Sequence, residues 1–77
     1  MSAEILDLRG LKCPLPVMKA RKALENRPIG ALIWLETTDP LAVIDIPAFC
    51  RTDHHDLVDN AKAEGFHRFL VRKGAPA

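Results

Sequence analysis

A helix interior rejects proline, which has no N–H to give to the preceding turn and a ring that collides with it; only the first turn takes one without loss. The run Cys13-Pro14-Leu15-Pro16 sets two prolines one residue apart, directly before an amphipathic stretch. A helix therefore starts there. With Pro14 as the first helical residue, Cys13 becomes the N-cap, its sulfur beside unpaired backbone N–H groups and the positive end of the helix dipole. A thiol so placed ionises more readily, and the thiolate is the reactive form. Arg9 and Lys12 add positive charge a few residues upstream. A cysteine is also among the most buried residue types and commonly serves as inert packing. It is the cap position, the two prolines and the nearby cations that make Cys13 a candidate reactive group.

Glu4 to Leu8 reads Glu-Ile-Leu-Asp-Leu and suits a short strand, closed by Arg9-Gly10, where glycine permits a turn. The first helix runs from Pro14 to about Asn26. At 100° per residue, Pro16, Val17, Ala20, Ala23 and Leu24 share one face, while Lys19, Lys22 and Glu25 lie away from it. Leu15 and Met18 also fall off that face, at the Cys13 end. Isolated exposed apolar residues are ordinary; beside a reactive thiol, these two read as a docking surface for a partner. Arg27-Pro28-Ile29-Gly30 ends the helix.

Ala31 to Thr37 is nearly continuous in apolar character and reads as a strand buried on both faces or in mid-sheet, with Trp34 as a packing residue. Strand, helix and strand form a βαβ unit with a right-handed crossover. Asp39-Pro40 repeats the cap-then-proline pattern. The second helix would run from about Pro40 to Arg51, with Ala42, Ile46, Phe49 and Cys50 on its core side. Pro47 interrupts it, so the first turn should be irregular, and Asp45 is an alternative cap. After the polar turn Thr52-Asp53-His54-His55-Asp56, a third strand runs from Leu57 to Ala63. Glu64-Gly65 turns it into a fourth from Phe66 to Lys73, and Gly74 to Ala77 should fray. The order is βαβαββ, one sheet with two helices on one face: an α/β (α+β) two-layer sandwich.

A length of 77 residues implies a single domain with a modest core. Net charge of +1, from 11 basic and 10 acidic residues, speaks against a strong nucleic-acid footprint. There is no apolar run long enough to span a bilayer, and Met1-Ser2-Ala3-Glu4 lacks the layout of a signal peptide. The expected setting is the cytoplasm, where Cys13 and Cys50 remain free thiols.

The stretch Leu8-Arg9-Gly10-Leu11-Lys12-Cys13-Pro14-Leu15-Pro16, together with Thr38-Asp39-Pro40, Asp45-Ile46-Pro47-Ala48-Phe49-Cys50 and Phe69-Leu70-Val71-Arg72-Lys73, resembles the TusA/SirA-like family of small sulfur carriers over nearly the whole chain. The specific element is the Cys-Pro-x-Pro signature in its setting after the first strand. The resemblance implies a four-stranded mixed sheet like the C-terminal domain of translation initiation factor three. It implies that Cys13 accepts sulfane sulfur as a persulfide from a donor, such as a cysteine desulfurase or rhodanese, and passes it to an acceptor protein. Transfer RNA thiolation, molybdenum cofactor maturation and sulfur oxidation are the uses it suggests. Arg9, Gly10, Lys12, Pro14 and Pro16 would then support the loop and helix start, and Leu15, Met18 and Lys19 would dock partners. The resemblance implies no bound cofactor and no metal, and a monomer that docks transiently is the expected state. One departure is His54, where the family often has glycine before a histidine. A turn requiring positive φ would there rest on Asp53 or His54.

Three other readings compete. Cys50, Asp53, His54, His55 and Asp56 include residue types that zinc accepts, but in no known zinc spacing. A thiol redox protein usually has a second cysteine near the first, and Cys50 falls on a core face. A non-catalytic regulator or partner-binding module could use the same fold, since fold does not decide function.

Overall fold

The computed structural model describes residues 3–75, so Met1, Ser2, Pro76 and Ala77 of the two expected termini lie outside the described residues. The elements follow in the order β1 (Glu4–Asp7), α1 (Leu15–Glu25), β2 (Leu32–Thr37), α2 (Ala42–Thr52), β3 (Asp56–Ala63) and β4 (Phe66–Arg72). This is the βαβαββ arrangement that the sequence pattern predicts. The sheet order is β1-β2-β4-β3, with β1 and β2 parallel and the other pairs antiparallel, so it is mixed.

Paired residues on neighbouring strands share a face. Ile33, Leu35 and Thr37 of β2 and Phe69 and Val71 of β4 form the helix-facing side, all essentially excluded from water. Pro16, Ala20 and Leu24 from α1 and Ala42, Ile46, Phe49 and Cys50 from α2 close the core from above. These are the faces that helical periodicity assigns, and Val17 and Ala23 pack at their margin. Burying the leucine, isoleucine and phenylalanine side chains in this set stabilises the fold by about 1.5–3 kcal/mol each.

Of the two readings of β2, the mid-sheet one holds, since the strand lies between β1 and β4, and burial on both faces does not. Its burial alternates, because the helices cover only one side of the sheet. Trp34 lies on the other side, half-buried, with the Arg68 guanidinium 4.3 Å above its ring. Arg68 Nε is also 3.2 Å from Glu36 Oε2, an ion pair not aligned as a hydrogen bond.

The helix starts also differ from expectation. α1 begins at Leu15 with Pro14 as its N-cap, one residue later than the proline rule suggests. α2 begins at Ala42 with Leu41 as N-cap, so neither Asp39 nor Asp45 caps it. Its entry is tight, as Pro47 led us to expect. Ala42, Val43 and Ile44 donate to the carbonyls three residues back, and only Asp45 reaches four back, to Leu41. Pro47 is accommodated inside α2, where it has no N–H to give the Val43 carbonyl.

His54 adopts φ +62°, so it carries the left-handed turn between α2 and β3 that the missing glycine had placed in question. Gly74 is tied down rather than frayed: its N–H donates to His55 Nδ1 at 3.1 Å. A side chain there would run into the His54 carbonyl, so only glycine fits.

Candidate functional site

The loop after β1 and the loop after β2 leave the sheet side by side, and hydrogen bonds continue the parallel pairing beyond the strands. Leu8 N–H donates to the Glu36 carbonyl at 2.7 Å, Gly10 N–H to Thr38 Oγ1 at 2.9 Å, and Cys13 N–H to Asp39 Oδ2 at 2.7 Å. Gly10 has φ +85°, a conformation that other residues enter at a cost. Asp39 uses its second oxygen as well, accepting from Leu41 N–H at 3.1 Å. One carboxylate thus ties the cysteine loop to the start of α2.

Cys13 is exposed and Cys50 buried. Of the two thiols, Cys13 alone is open to solvent. The Cys13–Pro14 peptide is cis. The sulfur turns towards α2, where its S–H donates to Asp45 Oδ2 at 3.0 Å. A shallow groove of about 330 Å³ opens beside it, lined by Cys13, Pro14, Val17, Asp45, Ala48 and Phe49, among others. Arg21 reaches the same groove but is held by Asp53 at 3.0 Å and lies over the Phe49 ring.

The electrostatics correct the expectation of an activated thiol. The Cys13 thiol is pushed above its ordinary range, first by its hydrogen bond to Asp45, then by desolvation and by the charges of Asp45 and Asp39. The helix terminus offers little in opposition. Cys13 sits before the N-cap, Pro14 and Pro16 have no N–H, and Leu15 gives its own to the Lys12 carbonyl at 2.8 Å. Arg9 gives no help either. Its guanidinium grips Asp7 at 2.9 and 3.1 Å and rests over the Phe66 ring on the opposite side of the sheet from the helices. Lys12 is the nearby cation that stays exposed in the loop.

Leu15 and Met18 are 42% and 54% exposed, with Lys19 beside them, as the periodicity of α1 predicts. α2 adds three that sequence reasoning missed, Leu41, Val43 and Ile44, at 52%, 42% and 68% exposed. Exposed apolar side chains therefore stand at the starting ends of both helices, the ends between which Cys13 lies. Ile44 was detectable, since it points almost directly away from Ala42, Ile46 and Phe49 on a helical projection. Asp39 and Asp45 as partners of the cysteine were not.

The rival zinc grouping does not assemble. Cys50 is buried in the core, its thiol pushed up to about 11 by desolvation, and among the described residues no three His, Cys, Asp or Glu side chains are placed to hold an ion. No helix among the described residues is long and apolar enough to cross a membrane.

The family model described as sulfurtransferase TusA matches residues 4–73. Two proteins of Neisseria meningitidis, one from serogroup A and one from serogroup B, are each 40% identical over 72 residues, covering 94% of this chain and 97% of theirs. Each bears the name "putative sulfur carrier protein".

Proposed function

The chain belongs to the TusA sulfurtransferase family, and from that premise we propose that it carries sulfane sulfur as a persulfide on Cys13 between a donor and an acceptor protein. The observation that supports this most is the contrast between its two thiols. Cys13 stands exposed at the meeting of two helix starts, while Cys50 is enclosed. Leu15, Met18 and Lys19 on α1 form the docking rim, joined by Leu41 and Ile44 on α2.

In the transfer, the Cys13 thiolate attacks the outer sulfur of the donor persulfide. A new bond forms between Cys13 Sγ and that sulfur, the donor's S–S bond breaks, and the donor thiolate leaves. The proton given up by Cys13 ends on the donor thiol. The sulfane sulfur changes partner and nothing is oxidised or reduced overall. Delivery to the acceptor is the same exchange in reverse roles. The bond from Gly10 N–H to Thr38 and the two bonds accepted by the Asp39 carboxylate hold the loop that carries Cys13. The protein does this as a cytoplasmic monomer, without a bound cofactor.

The test is cyanolysis. The protein is incubated with a cysteine desulfurase and cysteine, freed of donor, and treated with cyanide, which converts sulfane sulfur to thiocyanate. One equivalent per chain from the wild type and from Cys50→Ser, and none from Cys13→Ser, is the expected result. No thiocyanate from this donor or from rhodanese with thiosulfate, while Cys13 is freely alkylated, would assign the chain to the partner-binding regulators instead.

A further inference from the structure

We propose that Asp45 is a gate on Cys13: it holds the thiol protonated and slow to react in the free protein, so that sulfur is taken from a docked protein donor and not from small persulfides in solution. This inference rests on the reading of Cys13 as the sulfur-bearing residue and concerns how that residue is controlled.

The argument begins with geometry. Asp45 Oδ2 lies 3.0 Å from Cys13 Sγ, close for a sulfur donor, and it joins residues 32 positions apart in the chain. Asp45 occupies the first turn of α2, where a carboxylate is favoured by the helix dipole. The contact is therefore built from two separate elements. The second carboxylate, Asp39, grips the Cys13 backbone at 2.7 Å and leaves the sulfur to Asp45.

The charges that act on the thiol are acidic. Asp45 from α2 and Asp39 from the loop before it both oppose a thiolate. Arg21 from α1 is neutralised by Asp53, and Arg9 by Asp7. Lys12, adjacent in the chain, stays exposed to solvent. Negative charge at the sulfur is thus resisted from the side on which the groove opens.

The chemistry follows from what the hydrogen bond requires. Only a protonated Sγ can donate to Asp45. On loading, the proton leaves with the donor's thiol and the sulfur that replaces it carries the anion, so the contact exists in the empty carrier and is lost in the loaded one. Thiol exchange proceeds through the thiolate, and Asp45 keeps that population small until a docked donor engages the carboxylate with a cation or N–H of its own. A positioning role of this kind leaves the sulfur itself to do the exchange.

The experiment is the pH dependence of Cys13 alkylation by iodoacetamide in wild type, Asp45→Asn and Asp59→Asn, with thermal melts as a check on folding. Asp59 is a control carboxylate on β3, outside the groove. Asp45→Asn is expected to move the alkylation profile to lower pH and to raise the rate at neutral pH several-fold, while Asp59→Asn superposes on wild type. Loading by glutathione persulfide should accelerate by the same factor, and loading by a protein donor by less. Alkylation of Cys50 under native conditions, where the folded core encloses it, reports any variant that has failed to fold, and Asp45→Ser then replaces it. A profile for folded Asp45→Asn that coincides with wild type overturns the gate. A shifted profile with no sulfur loaded on either protein leaves Asp45's hold on the thiol intact and brings down the sulfur-carrier reading.

Discussion

Replacing Asp39 by alanine should damage both the fold and the presentation of the thiol. The carboxylate is half-buried and accepts two backbone hydrogen bonds, from Cys13 at 2.7 Å and from Leu41 at 3.1 Å. Bonds to a charged acceptor contribute about 1.5–3 kcal/mol when well shielded; partial solvent access reduces each to about 1 kcal/mol. Their joint loss should therefore cost about 2 kcal/mol. For a chain of 77 residues, 1 kcal/mol corresponds to roughly 6 °C near the midpoint, so Asp39→Ala should melt about 12 °C below wild type. Asp39→Asn retains an acceptor oxygen and should fall between the two. The assay is thermal denaturation by far-ultraviolet circular dichroism under reducing conditions, with reversibility checked. A melting point for Asp39→Ala within about 3 °C of wild type would refute the claim that this side chain staples the two loops together.

The core and the rim should separate cleanly: Leu24→Ala, fully buried in α1, should cost about 3 kcal/mol in urea unfolding, whereas Met18→Ala, exposed on the rim, should change stability by under about 0.5 kcal/mol and slow sulfur uptake from a protein donor. Burial holds His55 below its ordinary range, and its Nδ1 accepts from Gly74 N–H. The unfolded chain therefore takes up the proton first. This contribution to stability is complete above about pH 6.5 and is lost as pH falls through the folded value. Urea midpoints at pH 7.5 and 5.5 should show that loss in wild type and a smaller one in His55→Asn. Cys50, raised to about 11 by desolvation, should resist iodoacetamide in the native protein at pH 8 while Cys13 is modified, as peptide mass mapping will read.

The elements and the core faces were legible because they rest on local rules: period-two and period-3.6 patterning, and prolines that confine a helix start. Pro14 and Pro16 confined the start of α1 to one turn but not to one residue, since the first turn accepts proline at more than one position. That single-residue offset moves Cys13 off the cap. The sequence also gives no sign of how a charge will be spent. Arg9 reads as a cation near the thiol, yet Asp7, two residues earlier in chain, claims it on the sheet's other side. Asp45 acts on a cysteine 32 residues away, a contact set by packing of α1 on α2 and by nothing local. The family signature marks a loop, a proline and a cysteine, and the structure leaves that cysteine exposed.

The central claim is that sulfur rides on Cys13, and the direct measurement is the intact mass of the protein after incubation with a cysteine desulfurase and cysteine, with peptide mapping of the product. The account predicts a gain of one sulfur, about 32 Da, on the peptide containing Cys13, removed by reductant and absent from Cys13→Ser. A gain carried by Cys50, or no gain with Cys13 free and reactive, would contradict it.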